Sequence, residues 1–567
     1  MTALEERWVA SYDPRVRRHL EYPTGSLVDE FEKAARTYAT KPALDFFGRR
    51  TSYADLADQV AHVASALHAM GVGPGSMVAL LMPTCPQHVV AFYAVLRCGA
   101  TVVEHNPLSS AAELAQLFAD HEAEVAIVWD AAAEKVATLS KHVRPRVVVA
   151  VNLIEEMPLM KRILLKLPIT KARESRRQLS LPAPTGTLAF SALRRGRGGP
   201  PEGARPRPGD VALLLYTSGT TGTPKGVPLT HANLIATTTQ AHEWVTPLVP
   251  GEEVFMACLP LFHVFGCSLS MNAGLVAGAM IHLIPKPETG LILDAITRRP
   301  PTTMIAVPPI FDRLVTAAKE RGVSLAGIRT GIAGAMPLRP ELVTAWEAAT
   351  GGLLIEGYGL SECSPIVAGN PVNETRAAGS IGVPFPDTEV RLADPENLAR
   401  DVDLGQPGEI LVKGPQVFSG YRNRPEETAA SFFDGWFRTG DIATADEHGF
   451  LRIVDRLKEV VITGGFNVYP SEVENVIRDQ EGISDIAVVG LVDELGTEEV
   501  VAAIVTTDGL LPDVAKLRRL LKEKLTAYKV PRRFHVLSEL PRNEMGKVLR
   551  REVKARLQDL ERRRSDR

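Results

Sequence analysis

The stretch Tyr216-Thr-Ser-Gly-Thr-Thr-Gly-Thr-Pro-Lys-Gly226 decides how the rest of this sequence is interpreted. It follows the apolar run VALLLYT at residues 211–217, which predicts a buried strand. Glycines let a backbone approach an anion closely, and the N–H groups and hydroxyls of such a loop donate to phosphate oxygens. The loop lacks the GxxxxGK(S/T) spacing, so it is not a Walker A loop. A phosphate-binding loop is predicted, with an ordinary Gly/Thr-rich turn as the alternative.

Length and composition exclude several classes of protein. A chain of 567 residues suggests about four structural lobes, at roughly 150 residues per domain. Hydrophobic residues make up 45% and charged residues 23%, which is ordinary for globular proteins and excludes global disorder and collagen-like repeats. The formal net charge is −3, so no field of the whole chain attracts nucleic acid, and no nucleic-acid partner is expected.

The sequence also bears on compartment and metal content. The first thirty residues carry Glu5, Glu6 and Asp13, where a secretory signal needs a basic start and an apolar stretch. No run of about 18 apolar residues is present, so a cytoplasmic protein without a membrane span is expected. The five cysteines form no CxxC pair, so we expect buried, inert thiols and no zinc.

Alternation of strands and helices predicts the fold class. Apolar strands and helical stretches alternate from Ser76 to about Val128, and again from the strand at 211–217 to about Val390. Short strands with Gly and Asp turns follow, and from Pro470 a predicted capping box at residues 471–474 opens a compact α+β unit. We therefore predict an α/β protein. Its large N-terminal domain (1–456) has two doubly wound sheets and a small β subdomain, and its small, mobile α+β C-terminal domain covers 457–567.

Residues 155–209 interrupt this alternation with a segment rich in Pro, Gly and Arg, which is predicted to be a surface insertion. One interpretation is a solvated linker. The other is a short basic, amphipathic patch within 159–177 that touches a membrane surface. The apolar members of this patch are Leu159, Ile163, Leu164 and Leu167, and its basic members are Lys161, Arg162 and Lys166.

Seven further motifs follow the first one in a recognisable order. They are Leu259-Pro-Leu-Phe-His263, Gly334-Ala-Met-Pro337, Tyr358-Gly-Leu-Ser-Glu362, Phe437-Arg-Thr-Gly-Asp441, Asp455-Arg-Leu-Lys458, Gly464-Gly-Phe-Asn-Val-Tyr-Pro470 and Leu540-Pro-Arg-Asn-Glu-Met-Gly-Lys547. Together with the first loop, this set resembles the adenylate-forming superfamily, which includes acyl-CoA synthetases, firefly-type luciferases and nonribosomal peptide adenylation domains. Within the superfamily, the sequence is most similar to bacterial medium-chain and long-chain fatty acyl-CoA synthetases.

This resemblance implies an AMP-forming acid–thiol ligase that uses ATP, Mg²⁺ and coenzyme A. The implied ATP-binding residues are Thr217, Ser218, Gly219, Thr220, Thr221, Gly222, Lys225, Gly334, Ala335, Gly357, Tyr358, Gly359, Ser361, Asp441 and Arg456. Of these, Thr217 joins Glu362 as a metal ligand, Tyr358 lies against adenine, and Asp441 accepts the ribose hydroxyls. Ser361 stands where relatives usually have Thr, a change that keeps the hydroxyl.

The implied catalytic residues are Lys547, Glu362 and His263. A carboxylate that approaches a triphosphate is repelled, and only concentrated positive charge offsets that repulsion. The resemblance gives Lys547 the bridge between the carboxylate and the α-phosphate, and it makes His263 a wall of the acid pocket. For a lone lysine near a C-terminus, the ordinary interpretation is a solvated charge, and only its sequence context favours catalysis.

The second half-reaction implies movement of the small domain. Relatives turn it about a residue that matches Lys458, which removes Lys547 and brings in a loop that lines the CoA channel. Residues Gly464, Gly465 and Phe466 match that loop. No base for deprotonating the CoA thiol is identifiable.

Several details favour a fatty acid as the substrate. Gly334-Ala-Met-Pro337 resembles the GGMP form of fatty acyl-CoA ligases, and Ile462 stands where plant aryl-acid ligases usually have Lys. Pocket walls are expected from residues between Phe255 and Ala279 and around Ile332. The alternatives are a fatty acyl-AMP ligase, a ligase of an aryl or dicarboxylic acid, and an inactive acyl-nucleotide binding protein. The oligomeric state is open, with a homodimer among the options, and any membrane contact would be peripheral, at the inner face.

Overall fold

The computed structural model describes residues 3–195, 205–217, 224–463, 466–478, 480–492, 498–507, 509–510, 512–543 and 546–565. The chain forms two compact units. The first comprises Met1–Glu389 and Lys413–Gly435, and the second comprises Val390–Val412 and Trp436–Arg567. The predicted domain boundary at 456/457 lies inside the second unit and stays a prediction.

Two large sheets form the first unit. In its described part, the nine-stranded sheet has the order β16-β15-β14-β13-β12-β10-β11-β1-β2, and every pair from β14 to β1 is parallel. Its strands are β1 (Pro42–Phe46), β2 (Arg49–Ser52), β10 (Val254–Ala257), β11 (Met280–Leu283), β12 (Thr303–Ala306), β13 (Thr330–Ala333), β14 (Leu353–Tyr358), β15 (Ala368–Gly369) and β16 (Val383–Pro384). The parallel strands are apolar and buried, as expected for strands covered on both faces.

The seven-stranded sheet has the order β7-β6-β5-β3-β4-β8-β9 and is parallel except for its last pair. Its strands are β3 (Met77–Leu81), β4 (Thr101–Glu104), β5 (Val125–Trp129), β6 (Val147–Val151), β7 (Leu188–Ala189), β8 (Val211–Thr217) and β9 (Lys225–Thr230). The predicted strand at 211–217 is therefore confirmed, and it leads into the phosphate-loop motif from the position next to the edge strand β9.

Helices connect these strands along the chain. They are α1 (Ala3–Ala10), α2 (Leu27–Thr37), α3 (Tyr53–Ala69), α4 (Pro86–Arg97), α5 (Ala111–His121), α6 (Asp130–Ala137), α7 (Leu159–Leu164), α8 (Thr170–Leu179), α9 (Phe190–Leu193), α10 (His231–Trp244), α11 (Ala273–Val276), α12 (Thr289–Arg298), α13 (Pro308–Arg321), α14 (Pro340–Thr350) and α15 (Pro425–Ala430); the short strand β20 is Phe432–Phe433. Local sequence explains several ends. Ser26 and Ser110 begin α2 and α5 with capping boxes, and Gly322 ends α13 in the left-handed conformation.

The second unit combines an antiparallel sheet with an α+β sandwich. Strands β17 (Glu389–Asp394), β18 (Asn397–Asp401), β19 (Gly408–Lys413) and β21 (Trp436–Ala445) run in the order β18-β17-β19-β21, and β22 (Leu451–Arg456) also pairs with β21. The hairpin β23 (Val461–Thr463) and β24 (Phe466–Val468) precedes α16 (Pro470–Arg478). Then come β25 (Ile483–Val492), β26 (Glu498–Thr506), α17 (Val514–Lys524), β27 (Arg533–Val536) and α18 (Arg550–Ser565).

Alternating residues of β25 build the two cores of this sandwich. Ile486 and Val488 pack against α16 and α17, whereas Val489 and Leu491 pack against α18 on the opposite face. This is the period of two that a strand with two buried faces requires. The α/β fold class, with a small α+β region at the C-terminus, is confirmed.

The predicted capping box at residues 471–474 is wrong. Helix α16 begins at Pro470, so Ser471 lies inside the first turn. The Glu474 carboxylate accepts the N–H of Val488 at 2.8 Å and binds Arg550, so it serves the sandwich core rather than the helix start.

Three simpler expectations concern thiols, membrane spans and the insertion. All five cysteines are buried free thiols. Among the described residues, no helix has the length and apolarity needed to cross a bilayer. The segment after residue 155 forms the short helices α7 and α8, with many exposed side chains.

Candidate active site

The phosphate-loop motif connects two paired strands. Thr217 at the end of β8 is paired with Lys225 at the start of β9, so the two ends of the motif lie on neighbouring strands. The predicted ATP-binding residues Ser218, Gly219, Thr220, Thr221 and Gly222 lie outside the described residues. The hydroxyl of Tyr216 donates to Asp120 at 2.7 Å, which fixes the strand just before the loop.

Glu362 lies in a short 3-10 helix, Ser361–Cys363, and is 8% exposed. The Tyr421 hydroxyl donates to its Oε1 atom at 2.9 Å. The ammonium of Lys225 lies 4.8 Å from the centre of the Tyr421 ring, within cation–π range. Tyr421 therefore joins the predicted metal ligand to the lysine of the signature loop. No spacing in the sequence points to this tyrosine, so sequence analysis does not identify it.

The donor chemistry around Glu362 fits a magnesium ion. Magnesium prefers carboxylate and hydroxyl oxygens, and the two predicted ligands, Glu362 and Thr217, supply these. The strand that starts at Lys225 packs against the 3-10 helix that carries Glu362. The site can therefore offer oxygen ligands next to a phosphate loop.

Glycine motifs stand side by side at the ends of β13 and β14. These strands are parallel neighbours with Ala333 paired to Glu356, so Gly334 and Gly357 follow at the same edge of the sheet. A Cβ on Gly359 would lie 1.5 Å from the carbonyl oxygen of Pro365, which only glycine avoids. The predicted residues Ala335 and Tyr358 directly follow Gly334 and Gly357, and Ser361 lies three residues after the end of β14. Ala335 has a positive φ of 66°.

His263 precedes a π-helix, Gly266–Asn272, and packs against Phe262 with ring centres 4.8 Å apart. Its Nε2 atom is buried and has no hydrogen-bond partner among the described residues. Burial lowers the pKa of His263 to about 4, so the imidazole is neutral at pH 7. It can contribute shape and polarity to a site but no positive charge.

An apolar cavity lies between the nine-stranded sheet and helix α10, and Gly357 is among its lining residues. It is lined by Ala241, His242, Trp244, Val245, Leu248, Phe255, Leu269, Ala273, Thr303, Ile305, Ile332, Ile355, Gly357, Ile366, Gly369 and Phe385. Four of these, Phe255, Leu269, Ala273 and Ile332, fall where the sequence predicted the pocket walls. The lining that the structure describes includes no lysine or arginine.

Three of the predicted residues come together in the second unit. Asp441 on β21 is 3% exposed, and the Nε atom of Arg456 on β22 lies 3.0 Å from its Oδ1 atom. Lys547 is half-buried, and burial lowers its pKa, with a further contribution from the charge of Arg456. The carboxylates of Asp441 and Glu459 act in the opposite sense. An anion that binds next to Lys547 would therefore stabilise its charged form.

The predicted hinge residue Lys458 is exposed and lies in a 3-10 turn, Leu457–Glu459. The predicted CoA-channel residues Gly464 and Gly465 lie outside the described residues. Phe466 begins β24, and only its backbone is described.

Comparison with known proteins gives consistent results over the chain. Residues 31–422 match the family of AMP-binding enzymes, and residues 472–547 match the AMP-binding enzyme C-terminal domain. A long-chain-fatty-acid–CoA ligase of Bacillus subtilis is 34% identical over 553 residues, covering 97% of this chain and 98% of the relative. A feruloyl-CoA synthase of Amycolatopsis is 32% identical, covering 92% and 97%.

The fold matches solved structures over a similar extent. The ATP-bound MatB structure from Rhodopseudomonas palustris superposes with a TM-score of 0.80 at 28% identity, covering 94% of this chain and 99% of MatB. The two family matches together take in the phosphate loop, Glu362 and Lys547. The chain belongs to the family of AMP-binding enzymes.

Proposed function

We propose that this chain is an AMP-forming fatty acid–CoA ligase. A carboxylate oxygen of the acid attacks the α-phosphorus of ATP, and the bond to pyrophosphate breaks. The CoA thiolate then attacks the acyl carbonyl, and AMP leaves. The observation that supports this function best is the apolar cavity, whose lining includes Gly357, the residue before the predicted adenine-binding Tyr358. The names of the long-chain-fatty-acid–CoA ligase relatives agree with it.

The first half-reaction needs positive charge around the phosphates. We assign the loop from Thr217 to Lys225 to the phosphates, and Asp441 with Arg456 to the ribose. Glu362 and Thr217 would hold Mg²⁺, which when bound neutralises phosphate charge. Tyr421 orients the Glu362 carboxylate through its hydroxyl.

Lys547 supplies positive charge opposite the negative charge that develops during the reaction. Its ammonium is partly desolvated and makes no ion pair among the described residues. An ammonium of this kind is attracted strongly to a carboxylate and an α-phosphate whose negative charges are brought together in the transition state. The neutral His263 would instead form part of the wall near the reacting carboxylate.

We expect Lys547→Ala to lower acid-dependent ATP–pyrophosphate exchange by about 100-fold or more, because an electrostatic contact to developing charge is removed. Thioester formation from supplied acyl adenylate should stay within a few-fold of wild type. Lys554→Ala removes a lysine that pairs with Glu498 in the same unit, and it should leave both rates unchanged. Equal losses of both half-reactions in Lys547→Ala would contradict the assignment.

We expect Tyr421→Phe to raise the Mg²⁺ and ATP concentrations needed for half-maximal exchange by roughly 10-fold, since a hydrogen bond to a charged carboxylate is lost. Steady-state titration of Mg²⁺ and ATP measures this. Tyr22→Phe removes a similar bond, from Tyr22 to Asp387 at 2.9 Å, away from the proposed site and serves as the matched control. An unchanged Mg²⁺ requirement in Tyr421→Phe would refute the orienting role.

The second half-reaction needs Lys547 to be replaced by the CoA pantetheine arm. We propose that residues 457–567 turn about Lys458, whose side chain is exposed. Gly464, Gly465 and Phe466 would then line the channel for CoA.

The cavity favours a fatty acid over a dicarboxylic acid. A dicarboxylic acid would place its second charge among apolar side chains, and the described lining holds no lysine or arginine to pair with it, which is costly. A flexible alkyl chain gains about 0.8 kcal/mol for each CH₂ that it buries in such a cavity. An aryl acid is the competing substrate, because the feruloyl-CoA synthase relative is named for one.

We expect Ala273→Phe to shorten the preferred acyl chain, because the larger side chain enters the cavity from its wall. CoA-dependent AMP release, measured with saturated acids from C4 to C18, should fall at least 10-fold for the longest acids while short acids serve as the internal control. An aryl acid should be a poor substrate of both the wild type and the Ala273→Phe variant. An unchanged chain-length profile in a folded variant would place the acyl chain elsewhere.

We also propose that helices α7 and α8 contact an anionic membrane. Leu159 and Met160 are each 68% exposed and Ile163 is 50% exposed, whereas Lys161 of the same helix turns inward over the ring of Phe47. A patch of exposed apolar side chains on a helix is typical of a surface that contacts a membrane or a protein. The surrounding basic side chains of the segment match the charge of an anionic lipid surface.

We expect the protein to co-sediment with vesicles of anionic phospholipid, more weakly at high salt and not with zwitterionic vesicles. Leu159→Asp combined with Ile163→Asp should reduce the bound fraction by about 10-fold. Leu108→Asp changes another exposed leucine of the same unit and should have no effect. If wild type does not sediment, the segment is a solvated linker.

A further inference from the structure

Asp455 forms a contact across the proposed hinge. It lies on β22, three residues before Lys458, and is 3% exposed. Its Oδ2 atom accepts the backbone N–H of Ser471 at 2.7 Å, and its Oδ1 atom accepts the N–H of Arg456 at 2.8 Å. Ser471 belongs to α16, which follows the hinge. One buried carboxylate therefore joins the two sides of the turning point.

This carboxylate takes the place of a helix cap. Pro470 at the first position of α16 has no N–H, so Ser471 offers an unpaired donor at the positive end of the helix dipole. Ser471 does not cap the helix itself, because its hydroxyl accepts from Arg550 at 3.3 Å. An aspartate that is distant in sequence thus supplies the acceptor that local capping residues usually provide.

The residues after the hinge are tied together as one body. The guanidinium of Arg550 donates to both oxygens of Glu474 at 2.9 and 2.8 Å, and it also binds Glu459. Arg550 lies three residues after Lys547, so these bonds connect the lysine segment to α16 and to the residue after the hinge. When α16 leaves Asp455, the segment with Lys547 must move with it.

We propose that Asp455 is a positioning residue that latches the small domain in the conformation that presents Lys547 for adenylation. The contact between Asp455 and Ser471 exists when Lys547 lies near Arg456 and Asp441, and rotation at Lys458 breaks it. The latch thereby stabilises the adenylation conformation relative to the thioester-forming one, and it acts through Lys547 without touching substrate. This inference rests on the proposed function.

The test compares two helix caps of similar chemistry. Asp455→Ala removes the cap of α16 that crosses the hinge. Asp513→Ala removes the cap of α17. In that cap the Asp513 carboxylate accepts the N–H groups of Ala515 and Lys516, and all three residues follow the hinge. Each variant is assayed separately for acid-dependent ATP–pyrophosphate exchange and for thioester formation from supplied acyl adenylate and CoA. Asp455→Asn keeps an acceptor and serves as the conservative variant.

We expect Asp455→Ala to lower exchange by about 10-fold, the scale of one charge-assisted hydrogen bond, while thioester formation is unchanged or faster. Asp455→Asn should recover most of the exchange rate. Asp513→Ala should change the ratio of the two rates less than about two-fold, because its cap stabilises only its own helix. The latch is refuted if Asp455→Ala lowers both rates equally or if Asp513→Ala shifts the ratio as much.

A folding defect is separated from the latch by Asp455→Asn. If Asp455→Ala does not fold, a small fall in the ratio of exchange to thioester formation in Asp455→Asn, whose neutral acceptor binds the N–H more weakly, supports the latch when Ser471→Ala, which keeps the N–H donor, has a normal ratio. A wild-type ratio in Asp455→Asn then refutes the latch. A changed ratio in Ser471→Ala overturns it. Wild-type exchange that depends on acid upholds the proposed function whatever the Asp455 variants do, so the two hypotheses fail independently.

Discussion

Repulsion between a carboxylate and a triphosphate is the constraint on which this structure depends. At contact distance two like charges repel by about 1 kcal/mol in water and several-fold more in a partly desolvated site. In the first unit, strand β8 ends at Thr217 and is paired with Lys225 at the start of β9, and we propose that the motif between them binds the phosphates. In the second unit, we propose that Lys547 supplies further positive charge. Burial and the nearby charge of Arg456 lower its pKa.

In the proposed mechanism, the same positive charge becomes an obstacle once the acyl adenylate has formed, since CoA must then reach the carbonyl beside Lys547. A site that moves its lysine away needs contacts that break reversibly. Asp455 has this character: one buried carboxylate accepts a helix N–H from across the proposed hinge. The ties from Arg550 to Glu474 and Glu459, by contrast, lie on one side of the hinge and would survive rotation.

Much of this organisation could be predicted from the sequence. The strands at 77–81 and 211–217 are runs of apolar residues whose burial follows from their pattern, and the fold class and family are confirmed. The prediction of an acyl-CoA ligase agrees with the names of the relatives. The site roles, the domain boundary at 456/457, the membrane contact and the homodimer stay predictions.

What the sequence missed consists of contacts between distant residues. Tyr421 reaches Glu362 across 59 positions, and no spacing rule connects a lone tyrosine with a glutamate. Ser471 and Glu474 have the local sequence pattern of a capping box. In the folded chain, however, the side chains of both residues bind Arg550 instead. Local preference was overridden by a buried ion pair, which only the folded chain brings together.

The most direct test of the central claim follows the oxygen atoms of the acid. A fatty acid labelled with ¹⁸O in both carboxylate positions is converted with ATP and CoA, and the AMP and pyrophosphate are analysed by mass spectrometry. Attack of the carboxylate on the α-phosphorus predicts one ¹⁸O atom in each AMP and none in pyrophosphate. Unlabelled AMP, or label that appears in pyrophosphate, would contradict an acyl-adenylate intermediate.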